Sequence, residues 1–577
     1  MMRDDDNDSK SLIRRETLLA VLSDTTGGRM ARLDRVLEVM DSDPRALEGL
    51  SPSELYFLIK DIGPRDSGPL LAGATDEQLA RFVDFDAWEG QRFSPSRFTA
   101  WLDLAAGESE ETLVRMVKAV DPEALALQLI TQAQILEVDG TPEQTDAFGA
   151  REEVFQSPDG KFWVLCEEGK DTLPDVKRLV DLLFSIDIEW ARDLLKASAW
   201  ELLASLEDEA LRFRTARLGE EGFPSLEEAQ EIYRIVDIKR IRGLIEQHGD
   251  RLHAGKSTAQ TRALWDLGGV EGFRESLLTR ALASLRDGAR KTAIVRSLAH
   301  LLGEVVIAET GGDFGDEEGA SRAPARLHGF VSIGLEHLGG TTPEEAASLL
   351  LRLHPRILFR AGYTLLLGVR SRARECLRRA GTAHGFRLLG EAPWGPALDA
   401  AAAFVPQVHG LLDAPDRTAP REVRGLLDVH TLRTLVRDGA ARLDFVIDHL
   451  GASPESLAEW IAEDGRGHVT CTTLVGTALL DALVDQPPVT PLTPTQLAAA
   501  LDLWMPWDEV AGQRVPNQAL QITLGRRLGA ESPAVQRLIE DAMERIRSTF
   551  EGIKPGARLD PRFLGATVLV GDSSPIP

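Results

Sequence analysis

Cysteine is scarce in this chain of 577 residues. There are three, Cys166, Cys376 and Cys471, far apart in sequence and odd in number. No disulfide framework and no zinc spacing can be written from them, so they read as reduced core thiols of a cytosolic protein. Long apolar runs are also missing. The two best candidates, Ile357 to Val369 and Val469 to Leu480, fall short of the roughly 20 residues that span a bilayer, and Arg360 interrupts the first. The N-terminus, MMRDDDNDSK, has no apolar core of the signal-peptide kind. Positive charge is in deficit, with 65 Lys and Arg against 91 Asp and Glu, a net charge of −26. Such a chain repels nucleic acid and anionic membrane globally, although a local basic patch remains possible. A cytoplasmic location is expected.

What is present suits a packed protein. A hydrophobic content of 43% is ample for cores, and the length suits three or four domains of about 100–200 residues each. The richest stretch is Leu50 to Leu104. Ser51-Pro52-Ser53-Glu54 spells an N-cap, a proline in the first turn and a capping-box Glu. Leu55, Leu58, Ile59 and Ile62 follow at helical spacing. Thr75 with Gln78 repeats the box ahead of Leu79, Phe82 and Val83, and Ser94-Pro95 opens a helix carrying Phe98, Trp101 and Leu102. Proline-led joints recur at Asp43-Pro44, Gly63-Pro64 and Asp121-Pro122. Short helices joined in this way bury their faces only by stacking on neighbours, as in a superhelix.

The pattern over Leu50 to Asp86 resembles the short-helix superhelical repeats of the magnesium-transporter N domain and of flagellar motor-switch proteins, which would imply a protein-interaction module. Three further segments, LSPSELYFLIKD (50–61), DAWEG (86–90) and GFPSLEEAQEIY (222–233), resemble an uncharacterised bacterial family, domain of unknown function 6178. That resemblance covers most of the chain and implies no activity and no functional residues.

Beyond residue 135 the texture changes. Glu153 to Gln156, the turn Ser157-Pro158-Asp159-Gly160 and Lys161 to Cys166 predict a β-hairpin. The expected class is all-α and multi-lobed, a helical-repeat superhelix with one small β-hairpin insertion. The expected divisions are a disordered tail at 1–10, a short-helix superhelix at 11–135 and the hairpin insertion at 136–170. A helical domain at 171–308, an acidic glycine-rich loop at 309–327 and a Leu/Arg-rich helical domain at 328–484 follow. A proline-rich linker at 485–494 then leads to a C-terminal helical segment and tail at 495–577.

Motifs that carry chemistry are few. Gly255-Lys256-Ser257 imitates the end of a phosphate loop, but Asp250 stands where the first glycine is required, and a helix-joining loop is the simpler reading. His468 and Cys471 offer two soft ligands where zinc needs four. Asp313, Asp316, Glu317 and Glu318 gather carboxylates among glycines and could offer oxygen to a divalent cation, without the EF-hand spacing. The strongest local departure is basic: Arg356, Arg360, Arg370, Arg372, Arg374, Arg378 and Arg379, with Glu375 the one acid between Arg356 and Arg379. Arginine forks bind carboxylate and phosphate, so the block suits a partner protein, or the protein's own acidic helices. Interleaved aromatics for base stacking are sparse, which makes nucleic acid the lesser expectation.

The expected function is therefore a non-enzymatic cytoplasmic scaffold or regulatory adaptor, with no cofactor and no catalytic residue to name. The alternatives are an enzyme or a small-ligand or divalent-cation sensor with a site between helical lobes, and nucleic-acid binding through Arg352 to Arg387.

Overall fold

A computed structural model describes residues 14, 17–18, 28–138, 148, 153–166, 172–247 (backbone alone in 244–247), 276–381, 387–452, 469–529, 532–557 and 567–571. It is mainly α-helical with small antiparallel sheets. Two compact units divide it, residues 1–361 and 362–577, in place of the three or four domains expected from length. Among the described residues no helix is long and apolar enough to cross a membrane.

The written helix starts of the first unit hold. In helix Pro52–Ile62, Glu54 N donates to Ser51 Oγ at 3.2 Å and Ser51 N donates to the Glu54 carboxylate at 2.8 Å. Helix Asp76–Asp86 repeats the reciprocal pair between Thr75 and Gln78. The stripe Leu55, Leu58, Ile59 and Ile62 is buried, and so are Leu79, Phe82 and Val83. The aspartates at the joints behave less uniformly. Asp43 accepts from Arg45 N, but ahead of a single 3-10 turn, Ala46–Gly49. Asp121 does not cap helix Pro122–Gln132; its carboxylate turns to Arg217 instead.

The hairpin forms as read, Val154–Gln156 against Phe162–Cys166, with Gly160 at φ +70° in the turn. A third strand, Ala133–Glu137, pairs along the free edge of Phe162–Cys166, making that strand central and moving the start of the β region earlier. This answers the marginal stability of a lone hairpin. Three two-residue pairs escape the sequence reading: Trp88–Glu89 with Arg92–Phe93, Val408–His409 with Pro420–Arg421, and Trp507–Asp508 with Gln513–Arg514.

Two expected loops are corrected. The acidic segment at 309–327 is mostly helix. Helix Gly288–Thr310 ends at Gly311 in the left-handed region, and helix Glu317–His337 starts after Asp316, whose carboxylate accepts from Gly319 N at 2.9 Å. Glu317 and Glu318 thus sit in a first turn, where the helix dipole favours acids. The proline-rich segment at 485–494 is no linker, because it lies inside the second unit. Thr490 N donates to the buried Asp481 carboxylate at 3.0 Å, and Leu492 N to Leu569 O at 3.1 Å. Four prolines remove donors, yet the remaining N–H groups suffice to pin the segment.

The aromatic core of the first unit gathers helices Pro52–Ile62 and Asp76–Asp86 around the turn at Phe314. Phe314 meets Phe85 at 5.1 Å and Phe223 at 4.9 Å between ring centroids, both edge-on, and is 1% exposed. Edge-on pairs add to the apolar burial of each ring. Phe314→Ala is expected to cost about 3–5 kcal/mol in urea denaturation followed by tryptophan fluorescence. A loss below about 1 kcal/mol would show that the core closes over the gap.

Candidate functional site

The site lies in the first unit and starts from helix Leu203–Glu220. Leu206, Ala210, Arg214 and Leu218 recur every four residues and are all buried, so one position of the core stripe carries a charge. Arg214 is 4% exposed. Its Nε donates to Asp84 O at 2.6 Å, Nη1 to Gly90 O at 3.0 Å and Nη2 to Gly312 O at 2.8 Å, while the Trp88 ring lies 5.2 Å beneath the guanidinium. Burial pulls its pKa down to about 10, with Asp84 opposing. Asp84 is itself gripped by Arg217, at 2.7 and 2.6 Å. The nearest carboxylate is therefore already spoken for.

Two glycine turns make this arrangement possible. Gly90 has φ +65° and Gly312 φ +84°, and a Cβ at Gly90 would meet Gly311 O at 3.2 Å. The backbone of the Trp88–Phe93 hairpin can thus touch the turn between helices Gly288–Thr310 and Glu317–His337, with Arg214 joining both. Arg97 also bridges the hairpin and that turn, donating to Trp88 O at 3.3 Å and to Asp313 at 2.6 and 3.2 Å. Above Arg214 opens a cleft of about 640 Å³, whose lining includes Gly90, Gly312, Asp208, Arg212, Glu227 and Glu228. That volume falls within the usual range of small-molecule sites.

Glu228 connects the cleft to a charged cluster. Glu304 sits in the apolar run Leu301 to Ile307 and is 4% exposed. Arg356 Nε stands 3.2 Å from its carboxylate and His300 Nε2 stands 3.5 Å away. Arg356 also donates to Glu228 O, and Arg360 to Glu231 O. Burial pushes Glu304 up to about 7, with Arg356 and Arg360 pulling it back. Burial, and then the Arg356 cation, depress His300. An acid poised near neutral pH beside an imidazole and two guanidinium groups can hold or pass a proton.

The residues singled out in the sequence are placed as follows. Arg356 and Arg360 join the cluster just described. The others of the basic block fall in the second unit. There Arg370 lies 5.0 Å over the Phe404 ring, Arg374 donates to Ala402 O and Arg378 pairs with Glu375. Arg379 pairs with Asp444 and Asp448, and Arg372 is exposed. Of the proposed cation ligands, Asp313 holds Arg97, Asp316 caps its helix, Glu318 pairs with Arg322 and Glu317 is exposed. Among the described residues no three His, Cys, Asp or Glu side chains converge as metal ligands. His468 and the Gly255-Lys256-Ser257 motif lie outside the described residues. The three cysteines are free and buried, and burial lifts Cys471 to about 12, which leaves little thiolate at neutral pH.

Glu304 ionises near 4.5 in a solvated chain and near 7 in the folded one. The unfolded chain releases its proton first, so this residue's contribution to stability declines as pH rises through that window and is level above it. Glu304→Gln is expected to gain on the wild type between about pH 5 and about pH 8 in urea denaturation. A stability difference that stays constant with pH would contradict the assigned environment.

Comparison with known proteins adds a family and nothing more specific. No curated protein and no solved structure matches the chain, and the resemblance of its N-terminal part to superhelical domains is not shown by either comparison. The sequence model of a family of unknown function, DUF6178, matches residues 10–569, and the chain belongs to that family.

Proposed function

We propose that the protein is a non-enzymatic cytoplasmic adaptor that holds a partner protein on the helical surface of its first unit. The observation behind this reading is the joint between helices Ile188–Trp200 and Leu203–Glu220. Trp200 and Leu202 are each 76% exposed and Leu203 is 42% exposed. Single exposed apolar residues are ordinary, but a large aromatic beside two leucines is the composition of an interface anchor. The basic block supports the adaptor less strongly, because most of its forks have intramolecular acceptors, among them two of its three exposed arginines, Arg374 and Arg378. The same occupancy, with sparse aromatics, gives nucleic-acid binding little support.

A second reading is favoured by the cleft above Arg214 and the Glu304 cluster: a small ligand bound there modulates the adaptor. Perturbed ionisable groups beside a cleft are where ligand chemistry concentrates.

The adaptor reading is tested with a photo-reactive amino acid at position 202 and, as control, at the fully exposed Val510. A discrete adduct from position 202 alone is expected, whose partner, once purified, binds the intact chain stoichiometrically. Trp200→Ser with Leu202→Ser should weaken that binding by more than about tenfold, the loss typical of a hot spot. No adduct, or binding indifferent to both substitutions, would sink the proposal.

A further inference from the structure

We infer that the cleft above Arg214 binds a small zwitterion of the amino-acid class, its carboxylate on Arg214 and its ammonium group among Asp208, Glu227 and Glu228. This rests on the small-ligand reading just given and specifies the ligand.

A guanidinium carries five N–H groups. Arg214 donates three of them, all to backbone carbonyls. One N–H on each terminal nitrogen remains, and Arg214 lines the cleft together with Gly90 and Gly312, whose carbonyls hold those nitrogens. Carbonyl dipoles orient the cation without neutralising it, and Asp84 is engaged by Arg217. A bound carboxylate would supply the missing counter-charge and accept from both nitrogens at once. Arg212, two residues earlier and at the cleft, adds an exposed cation, which Glu209 partly engages at 3.6 Å.

The cationic end is suited by carboxylates of the same cleft, Asp208 on the helix of Arg214 and Glu227 and Glu228 on helix Leu226–Gln230. Asp208 and Glu227 are exposed, line the cleft and have no ion-pair partner among the described residues. Glu228 spends part of its carboxylate on the Ser225 cap and keeps spare acceptor capacity. A simple anion reaching Arg214 would face three carboxylates, and a simple cation would face two guanidinium groups. A ligand carrying both charges avoids either penalty. Leu211, Leu218 and Ile307 supply apolar wall for a side chain, as small-molecule sites require.

The test uses the intact chain and calorimetric titration with each of the common free amino acids. For the series as a whole, the N-acetylated and C-amidated forms are titrated alongside. At least one free amino acid should bind saturably, and both its capped forms should lose that binding. Asp208→Asn with Glu227→Gln changes two exposed side chains without ion pairs, so the variant should fold, as circular dichroism would verify. It should weaken the free amino acid by roughly fivefold, the upper worth of exposed charge pairs. Equal binding of an N-acetyl form would overturn the inference in favour of a plain anion site, and equal binding of an amide in favour of a plain cation site; the small-ligand reading would survive both. Absence of saturable binding in all three series would remove the inference and that reading together, leaving the adaptor reading to its own test.

Discussion

A charged side chain buried in the core stripe of a helix organises the first unit. Arg214 takes the place of an aliphatic residue, and an uncompensated cation in that position would cost several kcal/mol. Three carbonyls from three separate segments offset the cost: the end of helix Asp76–Asp86, the Gly90 turn and the Gly312 turn. The Gly312 turn is distant in sequence from the other two, and dispersion, which is not directional, does not by itself fix their register. The hydrogen bonds do. Around them two ion pairs add further ties: Arg217 with Asp84 joins helix Leu203–Glu220 to helix Asp76–Asp86, and Arg97 with Asp313 joins helix Pro95–Glu108 to the turn before Phe314. The aromatic cluster of Phe85, Phe223 and Phe314 packs beside this frame.

Much of the architecture is legible in the sequence because its signals are local. The boxes at Ser51 and Thr75 and the apolar spacing of Leu55 to Ile62 depend on residues within two turns of one another. The Asp159-Gly160 turn belongs to the same class. The third strand at Ala133–Glu137 is less legible, since its partner lies some thirty residues away. The proline-rich segment at 485–494 misleads for a related reason. Its composition is that of a linker, and the groups that fix it, Asp481 and Leu569, lie outside it.

The site was the least legible part, although a signal existed. Arg214 occupies an i, i+4 core position between Ala210 and Leu218, and Glu304 interrupts an apolar run. A charge where periodicity demands an aliphatic side chain marks a buried group that must be matched by something. The arginine block is the more conspicuous signal because seven cations lie close in sequence. Closeness along one helix does not bring side chains to one point in space, and most of them meet acceptors of their own chain. The buried, sparse charges are the better guide to where chemistry can happen.

The most direct measurement of the central claim is amide hydrogen exchange on Arg214→Leu beside the wild type. If Arg214 holds the two glycine turns together, amides at residues 90–94 and 311–316 should exchange much faster in the variant, while the sheet Phe162–Cys166 keeps its protection. Unchanged protection in both turns would mean that the aromatic cluster positions them unaided, and the clamp would lose its place as the organising interaction.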